Sequence, residues 1–481
     1  MNGLKYALVT CLIFFLSPLS MIADDSQKVV KSIFIVGAKK TKEWVILREM
    51  TIRRGDTIDL KTLPAKIKRS EENIYNLALF NEVTINDQVI EDDLHLIITV
   101  KERWFILGAP SLGVEERNSY DLIEALKRKD FHRLVYGMAI QWRNVSGRNE
   151  TLTFDGQLGF SKRLNIDFFR PALFRKANID FRIGFNSVNE REIIIGTDSG
   201  IPQWRRVETE PFQRSFEGYL GFRKRFSIYQ SLYAEASYRT LRFADSLYVF
   251  DVGGEIPGYI TQNNGREYYP SLKLLFSDDH RDIRSFPLEG YKYQLFLRFA
   301  GGLPGISTFQ MTKLGATWAH HIPLGERWNF SYGFHNALIL GDSIPFFEKN
   351  FVGVNRTDFI GSSTELRGYE KYALSGTFVN MNKAEIKFAI IPRQIVHLDY
   401  IPSPKFQDTP IGLYLSGFID TGYILDRSFN NHDQFLRNTF LTGYGLGLHI
   451  IGFYDVLLRM EYSRNHLNQG GIYFHATVPI K

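Results

Sequence analysis

The chain has 481 residues, of which 44% are hydrophobic, 14% aromatic and 23% charged, with 39 glycines. A formal net charge of +6 is small for that length and comes without a long basic run, which excludes a nucleic-acid footprint. No apolar run of roughly eighteen residues follows the N-terminus, so a mature transmembrane helix is excluded. A transmembrane barrel stays open, because alternating apolar and polar residues cancel in any averaging window.

Lys5 precedes an apolar run from Tyr6 to Leu16, then Ser17-Pro18 and a break at Met21-Ile22-Ala23. That order of charge, apolar core and small residue predicts a secretory signal peptide over 1–23. The core is too short to act as a spanning anchor. Cys11, the only cysteine, lies inside it, and Thr10 stands where a lipoprotein signal needs a smaller residue. The mature chain is therefore expected to lack disulfides, thiolate metal sites and a cysteine nucleophile.

Residues 30–103 read as one small α+β domain. Ser32-Ile-Phe-Ile-Val36 is a short apolar strand closed by Gly37, and Thr41 is placed to cap a helix carrying Trp44, Leu47 and Met50. Gly55-Asp56 turns the chain into a second helix with Leu60, Leu63, Ile67, Ile74 and Leu77 along one stripe. Strands follow near Val83–Ile85 and over Leu94–Val100, the latter with Leu94, Leu96, Ile98 and Val100 on one face. The features Ile35-Val-Gly37, Leu77-Ala-Leu-Phe80 and Val100-Lys-Glu102, in that order, resemble a POTRA domain. Such a domain implies an extended polypeptide held against a sheet edge through backbone hydrogen bonds.

From Trp104 the texture changes to period two. Leu152, Phe154, Leu158 and Phe160 alternate with Thr153, Asp155 and Gln157. Tyr291, Tyr293, Leu295, Leu297 and Phe299 oppose Lys292, Gln294 and Arg298. Phe330, Tyr332 and Phe334 oppose Asn329, Ser331 and His335, and Ile472, Phe474, Ala476 and Val478 repeat the pattern near the end. This predicts an all-β transmembrane barrel over 105–481 with about 16 antiparallel strands, apolar outside and polar inside. Short turns fall near 145–148, 227–230, 323–326 and 452–453, and longer loops near 115–131, 190–213, 245–265 and 342–379. Pro392 to Pro410 is long on the side of the short turns and does not fit the alternation.

The first barrel strand contains Gly108, Pro110 and Gly113, and the last carries Pro479. Proline cannot donate to a ladder and glycine weakens one, so a seam between these strands is the expected weak point of the barrel. Proline at a fraying rim accounts for the same residues. Asp278, Arg281, Asp282 and Gly290 sit in a turn between strands, where such carboxylates act as turn caps and charge partners and not as catalysts. His320, His321, His335, His449, His466 and His475 show no zinc-type spacing. Gly-x-Ser-x-Gly, Walker-type and His-Glu-x-x-His patterns are missing from the sequence, so neither an enzyme nor a bound cofactor is expected.

Several barrel segments resemble the BamA/TamA superfamily of outer-membrane assembly and translocation factors, also called bacterial surface antigens. They are Asn144-Val-Ser-Gly-Arg148, Phe168-Phe-Arg-Pro-Ala-Leu173, Asp278-Asp-His-Arg-Asp282 with Pro287-Leu-Glu-Gly290, Leu366-Arg-Gly-Tyr369, Gly417-Phe-Ile-Asp-Thr-Gly422 and Gly443-Tyr-Gly-Leu-Gly447. Their collinear order is more specific than any one of them. The resemblance implies that the long loop folds into the lumen and that its arginine, here Arg367, meets acids on the inner wall. Strand parity points Asp420 inward with Ser416 and Phe418, and Glu385 inward with Lys383 and Lys387. The expected clasp is thus Leu366, Arg367, Gly368 and Tyr369 with Asp420 and Glu385, the alternative being an exposed charge in a solvated loop.

The function implied is insertion or translocation of polypeptides at the outer membrane of a Gram-negative bacterium, without nucleotide or cofactor, and with the POTRA domain in the periplasm. The implied partners are unfolded outer-membrane or exported polypeptides, membrane lipids and accessory lipoproteins, and no nucleic acid. The seam would be the family's lateral gate. The family's principal assembly factors carry several POTRA domains, so a single one suggests a specialised member. A secretion pore for one dedicated exported protein and a passive porin-like channel are the rival readings.

Overall fold

The computed structural model describes residues 27–477 except 92, 115–126, 128, 130–133, 199–200, 207–209, 245–264, 304–305, 343, 346–347, 353–364, 373, 403 and 427–434. The expected signal peptide and Pro479 lie outside the described residues.

The N-terminal domain is a mixed sheet of four strands in the order β2-β1-β4-β3, with β1 Gln27–Val36, β2 Thr57–Asp59, β3 Phe80–Ile90 and β4 Asp93–Glu102. β1 runs parallel to β4, and β3 pairs antiparallel with it. Two helices, α1 Glu43–Leu47 and α2 Leu63–Tyr75, lie between the strands in sequence. Val45, Ile46, Ile74, Leu79 and Phe80 form one fully buried core with Leu94, Leu96 and Ile98, the alternate residues of β4. The period-two and three-to-four spacings of these apolar residues are what make a closed core possible.

Three details differ from the sequence expectation. β1 begins several residues earlier. A short β2 follows Gly55, whose φ of +90° suits glycine and turns the chain back onto β1. Thr41 does not cap α1: Lys42 is the N-cap and makes no side-chain cap bond. The Thr41 hydroxyl instead donates to Glu102 at 2.7 Å and accepts from Asn144 Nδ2 at 2.8 Å.

The second unit is a sheet of sixteen strands, antiparallel throughout, from Ile106–Val114 to Gly470–Thr477. Each strand pairs with its sequence neighbours in the sheet, and alternation decides the faces. Leu295, Phe299, Ile419, Ile472 and Phe474 are exposed on the outside, while Arg298, Asp420 and Glu461 are buried on the inside. Outward apolar residues match a hydrocarbon surround, and buried inward charges need partners across the lumen.

Two loops are more ordered than sequence predicts. Glu192–Asp198 pairs with Ile201–Arg206 inside the 190–213 loop, and Asn350–Val352 pairs with Leu374–Gly376 inside the 342–379 loop. The anomalous stretch around Pro392–Pro410 also has a physical account. Phe378–His397 and Asp408–Leu425 are 20 and 18 residues long and continue their ladder past two bulges, beyond the other turns. That extension reaches the N-terminal domain, where Arg393 and Asp408 make contact.

Candidate functional site

The long loop is held inside the sheet by one guanidinium. Arg367 Nε donates to Asp420 Oδ2 at 2.8 Å and Nη2 donates to Oδ1 at 2.6 Å, a bidentate pair. Its Nη1 reaches Glu385 Oε1 at 3.2 Å and Glu461 Oε1 at 3.4 Å, and the guanidinium carbon lies 3.6 Å from the centre of the Phe418 ring. Asp420 is 0% exposed and Arg367 7% exposed, so neither charge is hydrated. Such a pair is held because its charge is shared, Arg367 donating to three carboxylates.

The residues beside Arg367 finish the clasp. Gly368 has φ +92°, donates its N–H to Glu370 at 3.0 Å and accepts from Asn465 Nδ2 at 2.8 Å. The Tyr369 hydroxyl donates to the Thr442 carbonyl at 3.1 Å, accepts from the Thr442 N–H at 3.0 Å and pairs with His466. Leu366 is fully buried against Gly422. The glycine-rich strand has a reason of its own: a Cβ on Gly443 would stand 1.8 Å from the Arg367 carbonyl oxygen. The sheet leaves room there for the loop backbone.

Sequence reasoning missed two partners in this region. Glu461 faces inward between the outward Met460 and Tyr462, and parity alone would have found it. Glu348, near the start of the same loop, accepts from Arg298 Nη1 at 2.6 Å and from the Tyr269 hydroxyl at 2.8 Å, with all three buried. The loop is therefore fastened at two places on the inner wall. Gly361 to Thr364 lie outside the described residues.

A second site joins the N-terminal domain to turns around the sheet. Arg225 donates from Nη1 and Nη2 to the two oxygens of Glu49 at 2.7 and 2.8 Å, and Arg48 adds a bond at 2.8 Å. Burial pushes the Glu49 carboxyl up, but Arg225 and Arg48 outweigh it and hold it down at about 2. Asp455 receives the Tyr75 hydroxyl at 2.9 Å, Arg103 at 2.8 Å and Arg393 at 3.0 Å. Burial raises the Tyr75 hydroxyl to about 12, so it stays a donor. Asn76 binds reciprocally, donating to the Asp282 carbonyl at 2.6 Å and accepting from the Arg284 N–H at 2.9 Å. Lys42 N–H donates to the Gly147 carbonyl at 2.8 Å, and Lys101 meets Asp408 at 3.2 Å.

The expected mid-barrel turn belongs to this seat. Arg281 pairs with Asp279 at 2.8 Å, not with Asp278 or Asp282. Asp282 accepts the Leu288 N–H at 3.1 Å, and Asp278 lies 3.0 Å from His280. Gly290 has φ +94°, and a Cβ there would meet the His280 carbonyl at 2.1 Å. Gly108, Pro110 and Gly113 all lie in Ile106–Val114, whose described ladder is with Leu134–Arg143 alone. Gly470–Thr477 likewise pairs with Val456–Asn465 alone among the described residues.

A small mixed-sheet domain seated on a sixteen-stranded sheet with a folded-in loop defines an outer-membrane-barrel class of protein. Residues 144–452 match the model of the Omp85 superfamily domain, and residues 28–103 match the surface antigen variable number repeat, POTRA. The chain belongs to the Omp85 superfamily, of the BamA/TamA type. It is 25% identical over 281 residues to the outer membrane protein assembly factor BamA of Nitratidesulfovibrio vulgaris (57% of this chain, 30% of that protein). The chain thus spans under a third of the length of that curated relative. Among solved structures, CdiB from Escherichia coli matches with a TM-score of 0.52 at 12% identity, covering 93% of this chain and 76% of that one. CdiB from Acinetobacter baumannii matches with a TM-score of 0.50 at 13% identity, covering 94% and 74%. These two likenesses concern the fold.

Proposed function

We propose that this protein inserts or moves polypeptides at the outer membrane of a Gram-negative bacterium, with its POTRA domain on the periplasmic side. The observation that carries this reading is the seam. Ile106–Val114 and Gly470–Thr477 are the two ends of the sheet, and each has a ladder on one edge only among the described residues. A strand edge with free backbone groups is a template for a client strand. In a bilayer the client's own need to satisfy its backbone supplies the driving force, so no nucleotide, cofactor or catalysis is required. The clasp of Arg367, Asp420 and Glu385 would hold the lumen side of the wall near the seam in one shape while the edge changes partners. The clients are unfolded outer-membrane or exported polypeptides, with accessory lipoproteins as further partners.

Depletion of the protein tests this. Loss of several other outer-membrane proteins supports assembly, and the name of the BamA relative favours that outcome. Loss of a single exported protein supports a dedicated secretion pore. Unchanged levels of both, with altered uptake of small solutes, would contradict polypeptide handling.

A further inference from the structure

Between the POTRA domain and the inner wall lies a cavity of about 600 Å³ that neither the clasp nor the seam uses. One side is formed by Arg48, Glu49, Asn73 and Asn76 of the POTRA domain, and the rest by wall residues and by the turns that carry Asn149, Ile228, Tyr229 and Arg284. Its lining carries eight arginines and lysines against three carboxylates, Glu49, Asp167 and Asp279. Those carboxylates are engaged: Glu49 by Arg225, Asp167 by Arg182 at 2.7 Å, and Asp279 by Arg281 at 2.8 Å. Two acids outside the lining also serve it, Asp180 at 2.6 Å from Arg223 and Glu235 at 3.9 Å from Lys273. Glu217 and Asp455 also act on Lys273 and Arg143 from beyond the lining, and within the lining itself cations outnumber carboxylates by five.

An excess of charge of one sign on facing walls draws in a counter-charge. Burial, reinforced by repulsion from Arg225, holds the Arg48 guanidinium below its ordinary value in spite of Glu49. A separate observation points the same way. Gln294 lines the cavity, is 6% exposed, and its side-chain oxygen has no hydrogen-bond partner. The two ends of an amide are assigned from their surroundings, so an anion in the cavity would turn the NH₂ end inward.

We propose that this cavity binds a compact, soluble polyanion bearing two or more phosphate-type groups, bridging Arg48 of the POTRA domain to the cationic wall. Guanidinium forks fit phosphate oxygens two at a time, which favours such a ligand over a single halide or carboxylate. Apart from Gln230 at a strand end, the lining side chains from the strands share the parity that faces the lumen, which favours a dissolved ion over a lipid headgroup tethered outside.

The test uses the full chain in detergent, titrated calorimetrically with inorganic tripolyphosphate and no client, so its result is independent of the polypeptide reading. Lys273→Gln with Lys292→Gln should weaken binding at least tenfold. Gln294→Leu, which leaves the charge unchanged, should weaken it severalfold. Lys39→Gln with Lys61→Gln, exposed lysines of the POTRA domain away from the lining, should leave it unchanged. Absence of binding, equal binding by the cavity variants, or an equal loss in the surface control would overturn the proposal.

Discussion

Arg367 and Asp420, 53 positions apart in sequence, meet through two parallel hydrogen bonds of 2.8 and 2.6 Å in a site closed to water. The loop arginine and the wall carboxylate are each other's main charge partner, with Glu385 and Glu461 completing the fork.

Breaking a buried pair by removing one partner costs about 3–5 kcal/mol, because the other charge is left uncompensated. Arg367→Ala should therefore free the loop and lower activity, while the heat-modifiable band of the folded barrel on a gel is retained. Arg367→Lys keeps the charge but loses the fork, and should fall between the two. Wild-type activity in the alanine variant would remove the role assigned to the clasp.

The same clasp can be opened sterically. Gly443→Ala would push a methyl group into the Arg367 carbonyl, whereas Gly417→Ala meets its nearest atoms only at 3.7 Å. The first variant should expose the loop to protease as Arg367→Ala does, and the second should resemble wild type.

Glu370, in the loop, ties the clasp to pH. Burial raises its carboxyl from 4.5 to about 7, against the opposing hydrogen bond from the Gly368 N–H. The folded state then binds the proton more tightly than the unfolded one. Stability from this group is full below about 4.5 and is lost as pH rises towards 7. Hydrogen-exchange protection over residues 366–372, taken relative to the intrinsic rate at each pH, should be greater at pH 5 than at pH 8, and Glu370→Gln should flatten that difference.

At the POTRA seat, Glu49→Ala should loosen the domain, leaving Arg225 and Arg48 buried beside each other. Pulsed electron–electron distance measurements between a POTRA label and a barrel label should broaden in that variant. Adding Arg225→Ala should recover part of the loss, since the two residues are directly coupled.

Much of this was legible in the residues. Alternation placed Asp420 and Glu385 on the inner face, and the Leu366–Tyr369 motif pointed to the loop. Local periodicity reports which way a side chain faces, but not what stands opposite it across a lumen. For that reason the contact of Glu461 with Arg367, the Arg298–Glu348 pair and the Glu49–Arg225 pair were invisible, although parity alone turns Glu461 inward. Thr41 misled for a related reason. Its position suits a cap, yet Glu102 and Asn144 compete for its hydroxyl from elements distant in sequence. The length of Pro392–Pro410 became intelligible only once Arg393 and Asp408 were seen to reach the POTRA domain.

The central claim is that a client strand enters at the seam. The only cysteine of the sequence is Cys11, so cysteines placed in Ile106–Val114 and Gly470–Thr477 can be oxidised selectively. In proteoliposomes supplied with an unfolded outer-membrane protein, the oxidised form should insert no client and the reduced form should insert it normally. Equal insertion by both forms would contradict the account.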